Sequence, residues 1–179
     1  MEKYELEFWN VFCKVHQKLK EFYIKSEEYD KDFSTILQPI KEQKDALEHI
    51  VRVYSKLLTG EKDEKYIQDS FSKAIGHIYR AYYDTADIFT IILRERISDY
   101  LSIFSYKQIT SVWGKEKYEK ERKYLIDING KIADLRINKD IANKEETFND
   151  YKDIIDHLFV IYKDVLLNVY PQLAAKYLQ

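Results

Sequence analysis

The chain has 179 residues, 45% hydrophobic and 34% charged, which suits one globular domain over 1–179 and excludes a disordered or fibrous chain. Twenty-nine basic residues against thirty-one acidic ones leave no dominant cationic field, so recognition of RNA or DNA through a basic face is not favoured. A single cysteine excludes an internal disulfide and a multi-cysteine metal site, and no stretch approaches the roughly 18–20 apolar residues that span a bilayer.

The opening MEKYELEFWN lacks the basic segment and apolar run of a signal peptide, so the expected compartment is the cytoplasm. The abundance of Tyr, Lys, Ile and Asp reads as coding bias and, with the chain's size, suggests a small accessory protein of prokaryotic type. Four Gly and two Pro are too few for sheets joined by tight turns, which need positive φ repeatedly. Long helices with few connections need almost none, so the expected fold is all-α.

Phe8, Phe12, Val15, Leu19 and Phe22 step by four, three, four and three, drawing one apolar stripe along a helix from about Lys3 to Glu28. Cys13 borders that stripe and is expected to be a small buried hydrophobe; His16 is expected at its boundary. A short helical turn is expected at Phe33–Leu37. A second helix starts near Pro39, where a missing N–H costs nothing. Its expected core is Ile40, Leu47, Ile50, Val51, Tyr54, Leu57 and Leu58, and Gly60 ends it in the left-handed conformation.

Asp63 is an expected N-cap for a third helix. Its stripe runs from Ile67, Phe71, Ala74 and Ile78 through Tyr82, Thr85, Phe89 and Ile92 towards Ile97, Leu101 and Phe104. Forty residues at about 1.5 Å each would reach roughly 60 Å, so a break is expected around Ser98–Ser105. Gly114 interrupts the next stretch, and periodicity returns at Leu125, Ile128, Ile132 and Leu135. The last helix is announced by Asn143 followed by Glu146, a capping-box-like pair. Tyr151, Ile154, Leu158, Tyr162, Val165 and Val169 carry its stripe until Pro171 bends or ends it. Four to five long helices joined by short turns predict an antiparallel up-down bundle.

The pointed polar feature is His77, Arg80, Asp84 and Asp87, which share one face of the third helix. Asp45, His49 and Arg52 form a shorter echo on the second, with EHIVRVY (48–54) answering GHIYRAY (76–82). Imidazoles and carboxylates on facing helices can bind a metal or act as acid and base. Yet neither His-Glu-x-x-His nor paired Glu-x-x-His elements occur, and four scattered Gly cannot build a phosphate loop or a nucleophile elbow. The plain reading of the stripe is a polar face laced by ion pairs. The run KEKYEKERK (115–123) reads likewise as solvated surface, although a phosphate patch is conceivable. Asp150, Asp153, His157 and Asp164 read as the wet face of the last helix.

With no catalytic residue, metal ligand or cofactor motif above chance, the expected function is a non-catalytic helical interaction or regulatory module. Its partner is another protein or a second copy, since 15% aromatic residues exceed what one bundle core needs and Tyr is enriched at interfaces. His77, Arg80, Asp84, Asp87, His49 and Arg52 are the expected interaction residues. The alternatives are a metal-binding or hydrolytic bundle built on that stripe, and an RNA- or DNA-binding bundle.

Overall fold

Capping side chains and helix-terminating glycines, all local, set several of the helix ends in the computed structural model, which describes residues 2–32, 36–138 and 143–178. The described residues are helical with short connections: α1 (Lys3–Tyr29), α2 (Leu37–Leu58), α3 (Glu64–Leu101), α4 (Tyr106–Trp113), α5 (Lys115–Asn138), α6 (Lys144–Asp164), a π-helical turn (Val165–Val169) and α7 (Tyr170–Tyr177). The all-α class is therefore correct. The turn expected at Phe33–Leu37 falls largely outside the described residues.

Gly60 takes φ +84°. Its N–H bonds to Leu57 and that of Glu61 to Lys56, the paired bonds that close a helix on a left-handed glycine. The Asp63 side chain accepts from the Tyr66 amide at 3.0 Å, and Asn143 accepts from the amides of Glu145 and Glu146; both are N-caps, as the sequence foretold. The break after α3 is sharp. Ser105 caps α4 with a reciprocal bond to Gln108, and Gly114 at φ +85° turns α4 directly into α5. Pro171 sits in the first turn of α7 behind the π turn. A proline cannot donate to, and its ring crowds, the carbonyl four residues back, and the wider turn is where the ladder absorbs that.

The contacts divide the chain into two compact units, Met1–Ala86 and Asp87–Gln179, with the boundary inside α3. In the first unit Phe8 stacks on Phe71 at 4.0 Å and Phe22 on Tyr82 at 5.6 Å, so α1 and α3 run in the same sense. Glu42 reaches His77 and Tyr54 meets Phe71, so α2 runs against them. The core gathers Phe8, Ala46, Ile50, Val53, Ile67 and Phe71. In the second unit Asp87 meets both Arg136 and Tyr151, and Tyr100 meets Tyr162. There α5 runs against α3 while α6 runs with it.

Two core assignments change. On α2 the buried positions are Pro39, Ala46, Ile50 and Val53, whereas Ile40, Leu47, Val51 and Leu58 are 44%, 58%, 53% and 88% exposed. The helix carries two apolar faces, and the one with the small Ala46 lies in the core beside the Phe8–Phe71 stack. Cys13 is exposed, because the α1 core follows Phe8, Val15, Leu19 and Phe22 and Cys13 lies off that line. Ile88 to Leu93 is covered on most sides as expected, with Phe89, Thr90, Ile92 and Leu93 all buried. Among the described residues no helix is long and apolar enough to cross a membrane.

Candidate functional site

The predicted stripe on α3 acquires a member from α2 that the sequence did not single out. Glu42 Oε2 lies 2.8 Å from His77 Nδ1 and accepts from Arg80 Nε at 3.0 Å. Arg80 Nη2 also lies 2.8 Å from His77 Nδ1. The Glu42 side chain is 12% exposed, that of His77 19% and that of Arg80 39%, so the cluster sits at the edge of the core. The spacing of one turn between His77 and Arg80 sets both over the same carboxylate. Burial opposes ionisation of Glu42, but the hydrogen bonds and charges of His77 and Arg80 outweigh it and hold the carboxyl below its ordinary range.

The single Nδ1 cannot serve both neighbours. A carboxylate only accepts and a guanidinium only donates, so a protonated Nδ1 donates to Glu42 while an unprotonated one accepts from Arg80. The proton on His77 thus chooses between its partners. His49 stacks on the His77 ring with centroids 5.3 Å apart. Burial first, then the charges of His77, Arg52 and Lys73, lower the His49 pKa from its ordinary value.

Of the six predicted residues, His77, Arg80 and His49 therefore come together. Arg52 pairs instead with Glu48 one turn back on the exposed side of α2. Asp84 lies in the first unit with partners of its own. Asp87 belongs to the second unit, where it is 6% exposed, accepts from the Tyr151 hydroxyl at 2.6 Å and pairs with Arg136 Nε at 3.3 Å. The stripe is one line in sequence and two clusters in space.

Glu42, Asp45 and His77 each bring one possible ligand atom within 4.8 Å of one another. One imidazole and two carboxylates suit a borderline divalent ion. The guanidinium of Arg80 already bonds to Oε2 of Glu42, so a metal entering here competes with an internal cation for that carboxylate.

A second polar hub ties α4, α5 and α6 together. Asp164 accepts from Trp113 Nε1 at 2.8 Å and from Asn168 at 2.9 Å, and pairs with Lys117 at 2.7 Å. Burial pushes its pKa up, but those three donors bring it below the usual range. His157 lies 3.1 Å from Glu121 and its ring 4.1 Å from that of Tyr124. Burial, with Glu121 and Asp153 nearby, pushes the Tyr124 hydroxyl up to about 12. Lys117 and Glu121 come from the charge run read as solvated surface, and Asp164 and His157 from the face read as wet; each helix partly covers the other. The signal available in sequence was mutual, since opposite charges recur at three- and four-residue spacing on both.

A scan against protein-family models, a search of curated proteins and a search of solved structures find no match for this chain.

Proposed function

We propose that this protein is a non-catalytic helical interaction module that pairs with a second copy of itself through α2. The observation that carries the reading is the exposed apolar line Leu37, Ile40, Leu47, Val51 and Leu58, exposed by 74%, 44%, 58%, 53% and 88%. Its steps of three, seven, four and seven are the a and d positions of a heptad repeat. Lys44 fills one of the two intervening places; the other, Tyr54, is held towards Trp9, Glu5 and Phe71 of its own unit, so the seam is interrupted there.

Lys44 selects the orientation. In a parallel pair it would face its own counterpart, and like charges would oppose one another. In an antiparallel pair that sets Leu47 against Val51 of the second copy, Ile40 falls opposite Leu58 and the two Lys44 side chains are kept apart. Twenty-two residues at about 1.5 Å each make a seam of roughly 33 Å by about 10 Å per copy. That is well under the ~800 Å² per partner of a standard interface, so the dimer is weak and reversible, as suits a regulatory contact.

Sedimentation across low micromolar to near-millimolar concentrations tests this. The expected result is a monomer–dimer equilibrium that Leu47→Lys abolishes and Lys44→Leu strengthens, with helicity unchanged in both. A monomer throughout, or a dimer indifferent to Leu47→Lys, would falsify the pairing. If instead Leu47→Lys disrupts capture of a different protein while the free chain stays monomeric, the seam serves another partner and the self-pairing falls.

A second reading rests on the Glu42–Asp45–His77 convergence. Cobalt(II) binding, followed by its visible absorption, should then be lost in His77→Ala and tightened in Arg80→Ala, which removes the competing cation. An absence of binding in Arg80→Ala would end this reading.

A further inference from the structure

The second unit holds a cavity of 440 Å³ framed by the end of α3, by α4 and by the first half of α5. That is within the roughly 300–1,000 Å³ of pockets that take small organic ligands. Its floor is apolar, with Ile97, Leu101, Phe104, Ile109 and Trp113 each less than a tenth exposed. Tyr106 and Tyr118 add aromatic walls, their rings 5.8 Å apart, and Trp113 meets Tyr118 at 5.9 Å.

The charged lining is of one sign. Arg94 and Arg122 line the cavity and no carboxylate does. Arg94 is half-buried, and its bonds go to neutral acceptors, the Thr90 carbonyl at 3.1 Å and the Asn129 side-chain oxygen. A guanidinium has five N–H donors, so most of its hydrogen-bonding capacity is unspent. Among the described residues no carboxylate lies within ion-pairing distance of Arg94 or of the exposed Arg122. Burial draws the Arg94 pKa down, opposed by the charge of Glu95; a half-buried cation with no direct ion pair is costly, and an anion in the cavity reduces that cost. Ser98 and Ser102 supply hydroxyls to the same lining.

We infer that this cavity is a binding site for an amphipathic organic anion, with a flat aromatic body against Trp113 and Tyr118 and a carboxylate, phosphate or sulfonate head at Arg94 and Arg122. The aromatic floor and the two guanidiniums recognise separate parts of one molecule, so neither a bare anion nor a neutral hydrocarbon satisfies both. The site is independent of α2 pairing, since every lining residue lies in the second unit.

The test compares two fluorescent probes with the same aromatic body: anilinonaphthalene sulfonate, and N-phenyl-1-naphthylamine, which lacks the sulfonate. The full-length protein should bind the sulfonate at least about tenfold more tightly, the worth of one charged hydrogen bond. Arg94→Met should remove that preference while the neutral probe still binds. Because Arg94→Met could disturb α3, Arg122→Gln and Ser98→Trp are made at exposed positions as well. The first should weaken only the sulfonate, and the second should exclude both probes. Equal affinity for the two probes, or sulfonate binding unaffected by both Arg122→Gln and Ser98→Trp, overturns the inference. A carboxylate arm uses 2-naphthoate and a phosphate arm 2-naphthyl phosphate as competitors; failure of both to displace the dye would equally overturn it.

Discussion

Glu42 and His77 stand 2.8 Å apart although α2 and the interhelix turn separate them along the chain. With Arg80 they form a three-membered polar joint between α2 and α3. Replacing Glu42 with Gln keeps its size and removes its charge, leaving Arg80 without its counter-ion. The expected cost is about 1–2 kcal/mol, the range of a hydrogen bond to a charged group discounted for the partial exposure of Arg80. Urea denaturation measures it, and a change below about 0.5 kcal/mol would mean that the joint is dispensable.

The same joint sets an acid limb. The folded pKa of Glu42 is lowered, so between the folded value and the unfolded one near 4.3 the unfolded chain binds more protons. Stability therefore rises with pH through that window. The contribution of Glu42 is complete above the unfolded value and is lost as pH falls through the folded one. Glu42→Gln should flatten the acid limb of a melting-temperature profile, and a variant limb parallel to that of the parent would contradict the assignment.

His49 acts in a higher window. Its folded pKa is lowered by burial and by His77, so on acidification the unfolded chain takes up a proton near pH 6.5 before the folded one does. Stability present above about pH 6.5 is lost as pH falls below it. The melting temperature should decline from neutrality into that range, and less steeply in His49→Gln. An identical decline in that variant would assign the effect to another group.

Tyr151 is fully buried and donates to Asp87 at 2.6 Å, while Arg136 holds the other carboxylate oxygen. Tyr151→Phe should destabilise the second unit by about 1–3 kcal/mol, because a buried acceptor loses a donor. A double-mutant cycle with Asp87→Asn should show coupling, since the two side chains share one bond; strict additivity would disprove a direct interaction.

The glycines separate by backbone conformation. Gly60 and Gly114 hold φ of +84° and +85° with open space where a methyl group would stand, so Gly60→Ala and Gly114→Ala should each cost about 1–2 kcal/mol in left-handed strain alone. Gly130 lies inside α5 with nothing within 4 Å of an added Cβ. Gly130→Ala should stabilise by about 0.4–1 kcal/mol through the unfolded chain. Thermal melts that rank the three otherwise would contradict these backbone assignments.

What the sequence determined by itself was local. Caps at Asp63 and Asn143, the glycine at 60 and the three-four stepping of α1, α3 and α6 act over one or two turns, so the helices were legible without knowing their neighbours. The candidate site was half legible. The one-turn spacing of His77 and Arg80 is a sequence property, but Glu42 looked like any surface glutamate until α2 brought it against α3. Tertiary packing decided the rest. Periodicity on α2 allowed two apolar faces, and only the core around Phe8 and Phe71 chose Ala46, Ile50 and Val53, leaving Leu47 and Val51 outward. Likewise Arg94, Trp113 and Arg122 have no common spacing along the chain. They share a cavity because α3 ends at Leu101 and α4 and α5 fold back beside it, a juxtaposition that no local pattern encodes.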